Sequence, residues 1–307
     1  MERSSKNTDP KISIIIPSYN RAETIDWAIK SVLNQTYQNF EIVVVDDSPN
    51  NETEKVVKSF NDSRIKYIHN KERTNLPKAR NQGVRESSPD SKYIAFLDDD
   101  DEFLSRFLEK TVKILEETNV DVVIPSAEIR TKDGKKIGTL KCRGKEFWQQ
   151  RVGNGCVIRK RIFVEENFWY DERKVFDDVD FALRVLKNHK WKCTSEILWI
   201  YYPYPEEGIQ SASSALSLRE IELFYEKHYL TFSQLGKKAL SFFYSRVGRE
   251  FLKSGDVKRG RENLLKAVLT YPSFIYFIYY LLSLFFPKVF QRIKFRILKQ
   301  KLFQGRI

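Results

Sequence analysis

The sequence predicts an α/β fold: a doubly wound, mostly parallel sheet followed by a C-terminal α-helical extension. Three observations lead there. Short apolar, β-branched runs alternate with segments of helical periodicity up to about residue 125, the pattern of a parallel sheet with crossover helices. Three of those runs stop at polar clusters, Ser18-Tyr19-Asn20, Asp46-Asp47-Ser48 and Asp98 to Asp101, and sheets of this kind bind ligands outside the carboxyl ends of their strands. In the last quarter of the chain only helix candidates are found.

In order, Lys11–Pro17 reads as a buried strand closed by Pro. Asn20 with Glu23 three residues on has the form of a capping box, opening a helix through Gln35 with Ile25, Ile29, Val32 and Leu33 on one face. Glu41–Val45 is a second strand, Asn51–Phe60 a helix, and Ile65–His69 a third strand. Pro77 opens a helix to about Glu86, because Pro suits a first helical turn. Tyr93–Leu97 is a fourth strand, Phe103–Glu117 a strongly periodic helix, and Asp121–Ile124 a fifth strand. Then the pattern loosens: a hairpin turn at Asp133-Gly134, a strand over Gly153–Ile158 with a tight glycine approach, a short helix over Asp178–Lys187, and strand and loop from Trp191 to Ile200. Leu235–Lys253, Asp256–Thr270 and the segment after Tyr271 are helix candidates, and Gly248 to Pro272 resembles one tetratricopeptide-like hairpin. The expected organisation is a polar tail over 1–10, an α/β domain over 11–215, a helical region over 216–272 and an apolar, basic tail over 273–307.

Composition excludes several classes. With 31% charged residues the chain is not a polytopic membrane protein. No GxGxxG follows the first strand and no GxxxxGK[ST] occurs, which disfavours dinucleotide and P-loop sites. The polar first ten residues and the short Ile12–Ile16 run predict no secretory leader. Three cysteines without CxxC spacing (Cys142, Cys156, Cys193) predict free thiols in a reducing compartment rather than a disulfide or zinc site. Of the formal charge of +12, the excess lies at one end: residues 231–307 carry 16 Lys/Arg against 3 Asp/Glu. Ser273–Phe286 is too short to span a bilayer, which takes about 20 residues. Next to a basic segment it suits an anionic membrane surface better than nucleic acid, which is not an expected partner.

The Asp98–Asp101 run is the sharpest chemical feature. Four adjacent carboxylates repel unless a cation neutralises them, and a hard divalent ion with a diphosphate would do so. An acidic helix start before Phe103 is the blander reading. Asp46-Asp47 could accept hydrogen bonds from a nucleotide or initiate a turn with Ser48-Pro49. Asp177-Asp178-Val179-Asp180 could hold a general base or cap a helix.

Five segments in order, IIIPSYNR (14–21), SVLNQTYQNFEIVVVDDS (31–48), ARNQGV (79–84), YIAFLDDDDEF (93–103) and FDDVDFALRV (176–185), resemble the signatures of family 2 inverting glycosyltransferases with the GT-A (nucleotide-diphospho-sugar transferase) fold. The resemblance covers residues 11 to about 210. It implies that Pro17, Tyr19 and Asn20 border the nucleotide, that Asp47 binds the base, and that Arg80 and Asn81 lie near the donor. It also implies that Asp98 and Asp100 hold Mg²⁺ or Mn²⁺, that Asp99 lies near ribose or sugar, and that Asp178 is the catalytic base. Asp177 stands where the family has Glu. The stretch 201–211 lacks the His many relatives carry, leaving Glu206 or water in its place, and the QxxRW of processive synthases is absent. The implied function is metal-dependent transfer from a nucleotide-diphosphate sugar, UDP by family frequency, to a hydroxyl of a glycan or lipid-linked saccharide. The setting would be cytoplasmic, peripheral on the cytoplasmic face of a membrane. Transfer to polyprenyl phosphate, or a catalytically degenerate scaffold, are the alternatives.

Overall fold

The computed structural model describes residues 9–142, 146–150, 152–173, 177–203 and 217–288. The basic segment beyond Lys288, Glu206 and most of the polar tail lie outside the described residues. The chain divides into two compact units, residues 1–209 and 210–307.

In the first unit, β1 (Ile12–Ser18) lies between β2 (Phe40–Asp46) and β4 (Tyr93–Phe96), and β2 pairs with β3 (Ile65–His69), all in parallel. The helices between them are α1 (Ile25–Leu33), α2 (Glu52–Ser59) and α3 (Leu76–Glu86). The sheet continues through β5 (Glu102–Phe103), β6 (Val122–Arg130), β7 (Lys136–Leu140), β8 (Val157–Arg159) and β9 (Trp191–Tyr201). Its order is β3-β2-β1-β4-β8-β6-β9-β5, with β7 also on β6. The fold is therefore a mixed, mostly parallel α/β sheet: β6 and β9 are parallel, while β8, β7 and β5 enter antiparallel.

The period-two alternation of the strands fixes both faces. Ile12, Ile14 and Ile16 of β1 with Ile42 and Val44 of β2 face α1, α2 and α4 (Phe107–Glu117). Ile15, Val43 and Val45 face α3, α5 (Arg161–Val164) and α6 (Asp177–Asn188). Alternating apolar side chains that are buried on both faces are the reason these strands read as continuous apolar runs.

Several expectations are corrected. Asn20 caps no helix: α1 begins at Ile25, after Thr24, and Asn20 instead takes φ 53° in the turn after β1. Phe103 does not open α4, because Glu102 and Phe103 pair with Ile200 and Trp199 of β9 as an edge strand. The acidic run therefore cannot cap α4, which starts at Phe107. Trp191–Tyr201 is one unbroken strand. Cys142 and Cys193 form a disulfide with Cα atoms 5.5 Å apart, and Cys156 is buried outside it. Their meeting follows from register: Cys193 pairs with Ile124 of β6, and the Cys142 N–H donates to Ser126 Oγ on the same strand. The expectation of free thiols at Cys142 and Cys193 is corrected by this bond.

The second unit comprises α7 (Leu218–Gln234), α8 (Lys237–Lys253), α9 (Val257–Thr270) and α10 (Phe274–Phe285). The sequence reading missed α7, whose start is a capping box of Ser217 and Glu220. Helices α8 and α9 pack closely where Gly248 meets Gly260: a Cβ on Gly248 would lie 2.9 Å from the Gly260 carbonyl oxygen. One side of α10 packs through Tyr279 against Leu252 and Leu264. Phe274, Phe277, Leu281, Leu284 and Phe285 are exposed. Among the described residues no helix is long and apolar enough to cross a membrane.

Candidate active site

Parallel pairing brings the three polar clusters to one edge. Ser18 pairs with Asp46 at the carboxyl ends of β1 and β2, and Phe96 of β4 pairs with Ile15, so Asp98 leaves β4 beside the end of β1. Four aspartates in a row then diverge, each toward its own partner. Asp98 Oδ1 accepts from Arg80 Nη2 at 3.0 Å, and Asp99 Oδ2 from Ser18 Oγ at 2.7 Å. Asp100 pairs with Arg21 Nη1 at 3.2 Å. Asp101, fully buried, accepts from the Tyr202 N–H at 2.8 Å and from Asn154 Nδ2. The expectation that this run needs a metal to be tolerated was too strong, because two guanidinium groups and several donors already oppose its charge. Among the described residues no three His, Cys, Asp or Glu side chains gather as a metal-holding group.

Residual strain in the electrostatics is still evident. Burial raises the Asp99 and Asp101 carboxyls well above the usual range, with Asp100 adding to both. Desolvation pushes Asp98 up to about 6, with Arg80 opposing and Asp100 and Asp178 reinforcing. About a third of the Asp98 side chain is open to solvent (31%), so water screens part of that rise.

Arg80 joins the acidic run to the other candidate. Its guanidinium is buried (1% exposed) and its second arm reaches Asp178 Oδ1 at 2.5 Å. Two arms on two carboxylates use the fork that a guanidinium has and an ammonium lacks. The group lies 5.3 Å from the Tyr170 ring and 5.8 Å from Phe96. Asn81, next on α3, exchanges two 3.0 Å hydrogen bonds with the Tyr170 backbone. One turn of α3 thus fixes both the segment ahead of α6 and the Asp178 carboxylate in its first turn.

Asp47 is nearly buried. It accepts from Asn70 Nδ2 at 2.8 Å, the Thr74 N–H at 2.9 Å and Thr74 Oγ1 at 2.6 Å, which ties the loop after β3 to the end of β2. Tyr19 carries the Arg73 guanidinium 3.8 Å over its ring. Pro17 is buried within β1, and the exposed Asn20 donates its N–H to Ser48 Oγ at 2.8 Å. Asp177 lies in α6 beside Asp178.

The family model for glycosyl transferase family 2 matches residues 13–184, which is more than half of the chain and contains every residue just described except Tyr202. The chain belongs to glycosyl transferase family 2. It is similar to the UDP-Glc:α-D-GlcNAc-diphosphoundecaprenol β-1,3-glucosyltransferase of Escherichia coli, 39% identical over 121 residues, 39% of this chain and 47% of that one. It is also similar to the GalNAc(5)-diNAcBac-PP-undecaprenol β-1,3-glucosyltransferase of Campylobacter jejuni, 40% identical over 99 residues, 31% of each chain. The chain thus spans less than half the length of either relative. In fold it resembles S. aureus TarS 1–349 in complex with UDP-GlcNAc, with a TM-score of 0.63 at 17% identity over 96% of this chain and 92% of that one. That likeness supports the GT-A fold.

In this family 2 chain one site position, Asn154, was invisible to sequence reasoning. Asn154 accepts from the Asp98 N–H at 3.0 Å while donating to Asp101, so it splices the start and end of the acidic run. Only the glycines flanking it, Gly153 and Gly155, signalled a close approach. Gly155 takes φ 73° against Trp199, and a Cβ on Gly153 would lie 2.9 Å from Asp178 Oδ1 and 3.2 Å from Tyr170 Oη. Gly153→Ala should therefore push the Asp178 carboxylate off Arg80. The expected result is a transfer rate lower by on the order of 10²-fold, together with a measurable fall in thermal stability, because one arm of the Arg80 bridge is lost. Unchanged turnover would show that Asp178 tolerates displacement.

Proposed function

We propose that the chain is an inverting, metal-dependent glycosyltransferase that moves a sugar from a UDP-linked donor to a hydroxyl of a lipid-linked saccharide. The observation that carries this reading is the Arg80 bridge. One buried guanidinium holds a carboxylate from the end of β4 and another from the start of α6, which supports a donor-side and an acceptor-side carboxylate sharing one site. The printed names of the two relatives, both transferases onto undecaprenol-linked saccharides, support the acceptor class.

Asp178 accepts the proton of the acceptor hydroxyl as that oxygen bonds to the sugar C1. The bond from C1 to the diphosphate oxygen breaks on the opposite face, and the configuration inverts. Arg80 occupies Oδ1 of Asp178, so the proton is assigned to Oδ2. Asp47 recognises the base, with Pro17, Tyr19 and Asn20 bordering the nucleotide and Asp99 toward the ribose or sugar.

Asp98 and Asp100 would hold the divalent ion, Mg²⁺ or Mn²⁺. Their chemistry fits: each offers carboxylate oxygens, the donors that hard cations take, and each already faces a cationic guanidinium that stands where the ion's charge is needed. When bound, such an ion supplies positive charge against the departing diphosphate.

Residues 11–215 would carry this chemistry, with 216–272 as a helical module. The exposed apolar side chains of α10 and the basic sequence that follows support peripheral binding of 273–307 to an anionic cytoplasmic membrane face, where the acceptor would be presented.

A thermal-shift screen of nucleotide sugars with Mn²⁺ tests the reading. A UDP-sugar near 100 times its Kd should add about 2.7 kcal/mol, or roughly 5–10 °C in a unit of this size. Asp100→Ala should lose the part that depends on metal. If no nucleotide sugar shifts the melting of the wild type, or if the Asp100→Ala shift keeps the full metal dependence, the proposal fails.

A further inference from the structure

Arg21 has no role in the chemistry above, yet it faces Asp100. Its Nη1 lies 3.2 Å from Asp100 Oδ2, and the two side chains are 11% and 23% exposed. The backbone commits Arg21 to this place. Asn20 turns the chain at φ 53° and is held by Ser48, and the Arg21 carbonyl then accepts the N–H groups of Thr24 and Ile25 at the entry to α1. The side chain therefore leaves a fixed point.

We propose that Arg21 is a resident counter-ion which competes with the divalent cation for Asp100, so that metal binding becomes contingent on the donor diphosphate. Without donor, a cation approaching Asp100 meets a guanidinium on one carboxylate oxygen, and like charges a few ångströms apart in a partly buried site repel strongly. A diphosphate brings new anionic oxygens beside the run. Arg21 can exchange Asp100 for them, because a guanidinium pairs with phosphate as readily as with carboxylate, and the Asp100 oxygen that Arg21 held can then take the ion. Arg21 is a positioning residue here, acting through Asp100. The inference rests on the reading that this site takes a metal-bound diphosphate.

The test uses the full chain with Mn²⁺ alone and Mn²⁺ with UDP, reading bound ion by electron paramagnetic resonance or titration calorimetry at about pH 8, where protons compete little for carboxylates. For wild type, Mn²⁺ alone should bind weakly and UDP should tighten it strongly. For Arg21→Gln, Mn²⁺ alone should bind about tenfold more tightly, and the tightening by UDP should shrink by a similar factor. Arg21→Lys keeps the charge and should stay near wild type, which separates counter-ion competition from a packing role. Unchanged or weaker Mn²⁺ binding by a folded Arg21→Gln protein overturns the inference and leaves the donor reading standing. If the wild type binds no Mn²⁺ even with UDP, the metal reading falls and takes this inference with it. If Arg21→Gln unfolds, Arg21→Lys and Arg21→His carry the comparison: a Lys variant that differs from wild type as much as the His variant does also overturns the inference.

Discussion

Asp178→Asn should reduce sugar transfer by a factor of about 10²–10⁴, the usual contribution of a positioned general base, while the Kd for a UDP-sugar stays within about twofold. An amide is nearly isosteric with a carboxylate, and its oxygen can still accept the 2.5 Å hydrogen bond from Arg80 Nη1. The fold and the donor side should thus survive. What is lost is a group able to take the acceptor proton. Transfer would be followed with a saccharide acceptor and donor binding by calorimetry. Normal turnover in the variant would remove Asp178 as base and favour a phosphate acceptor, which is already anionic and needs none. Loss of donor binding would instead make Asp178 part of the donor site.

Arg80→Met should destabilise the first unit strongly. It leaves the Asp98 and Asp178 carboxylates facing each other without the cation that each now contacts. Breaking a buried charge cluster by removing one partner typically costs 3–5 kcal/mol. Both carboxylates are about one-third solvent-exposed (31% and 30%), so water relieves part of the penalty and about 3 kcal/mol is expected. In a unit of this size that lowers Tm by roughly 6–12 °C. Arg80→Lys should rescue only part of it, because one ammonium does not span two carboxylates as a fork does. Urea or thermal unfolding measures the effect, and a loss below about 1 kcal/mol for Arg80→Met would mean that the bridge adds little.

Much of the fold was legible because its strands are buried on two faces. Lys11–Pro17, Glu41–Val45 and Tyr93–Leu97 could be read without knowing their neighbours, since apolar residues dominate both faces of each. The later strands were harder for the same reason reversed. Trp191–Tyr201 alternates buried and exposed positions irregularly and bulges against β6, so its length followed from pairing rather than composition. Phe103 looked like the first turn of α4 because it falls at helical spacing from Phe107. The two rings do stack, at 3.7 Å between centroids, yet the residue belongs to an edge strand. The helix α7 was missed because its buried residues Ile221, Phe224, His228 and Phe232 are diluted among charged ones.

The sequence by itself determined the order of the first four parallel-sheet strands and the helices between them, the ends at which the aspartates fall and, through five ordered segments, the family. Those properties depend on local periodicity and on which residue stands where. The tertiary structure alone decided how the acidic run is neutralised: Ser18 and Arg21 at the end of β1, Arg80 on α3 and Asn154 before β8 come from three separate places in the chain. It alone joined Cys142 to Cys193. Electrostatic and covalent partners are chosen by distance in space, and sequence spacing carries no record of strand register.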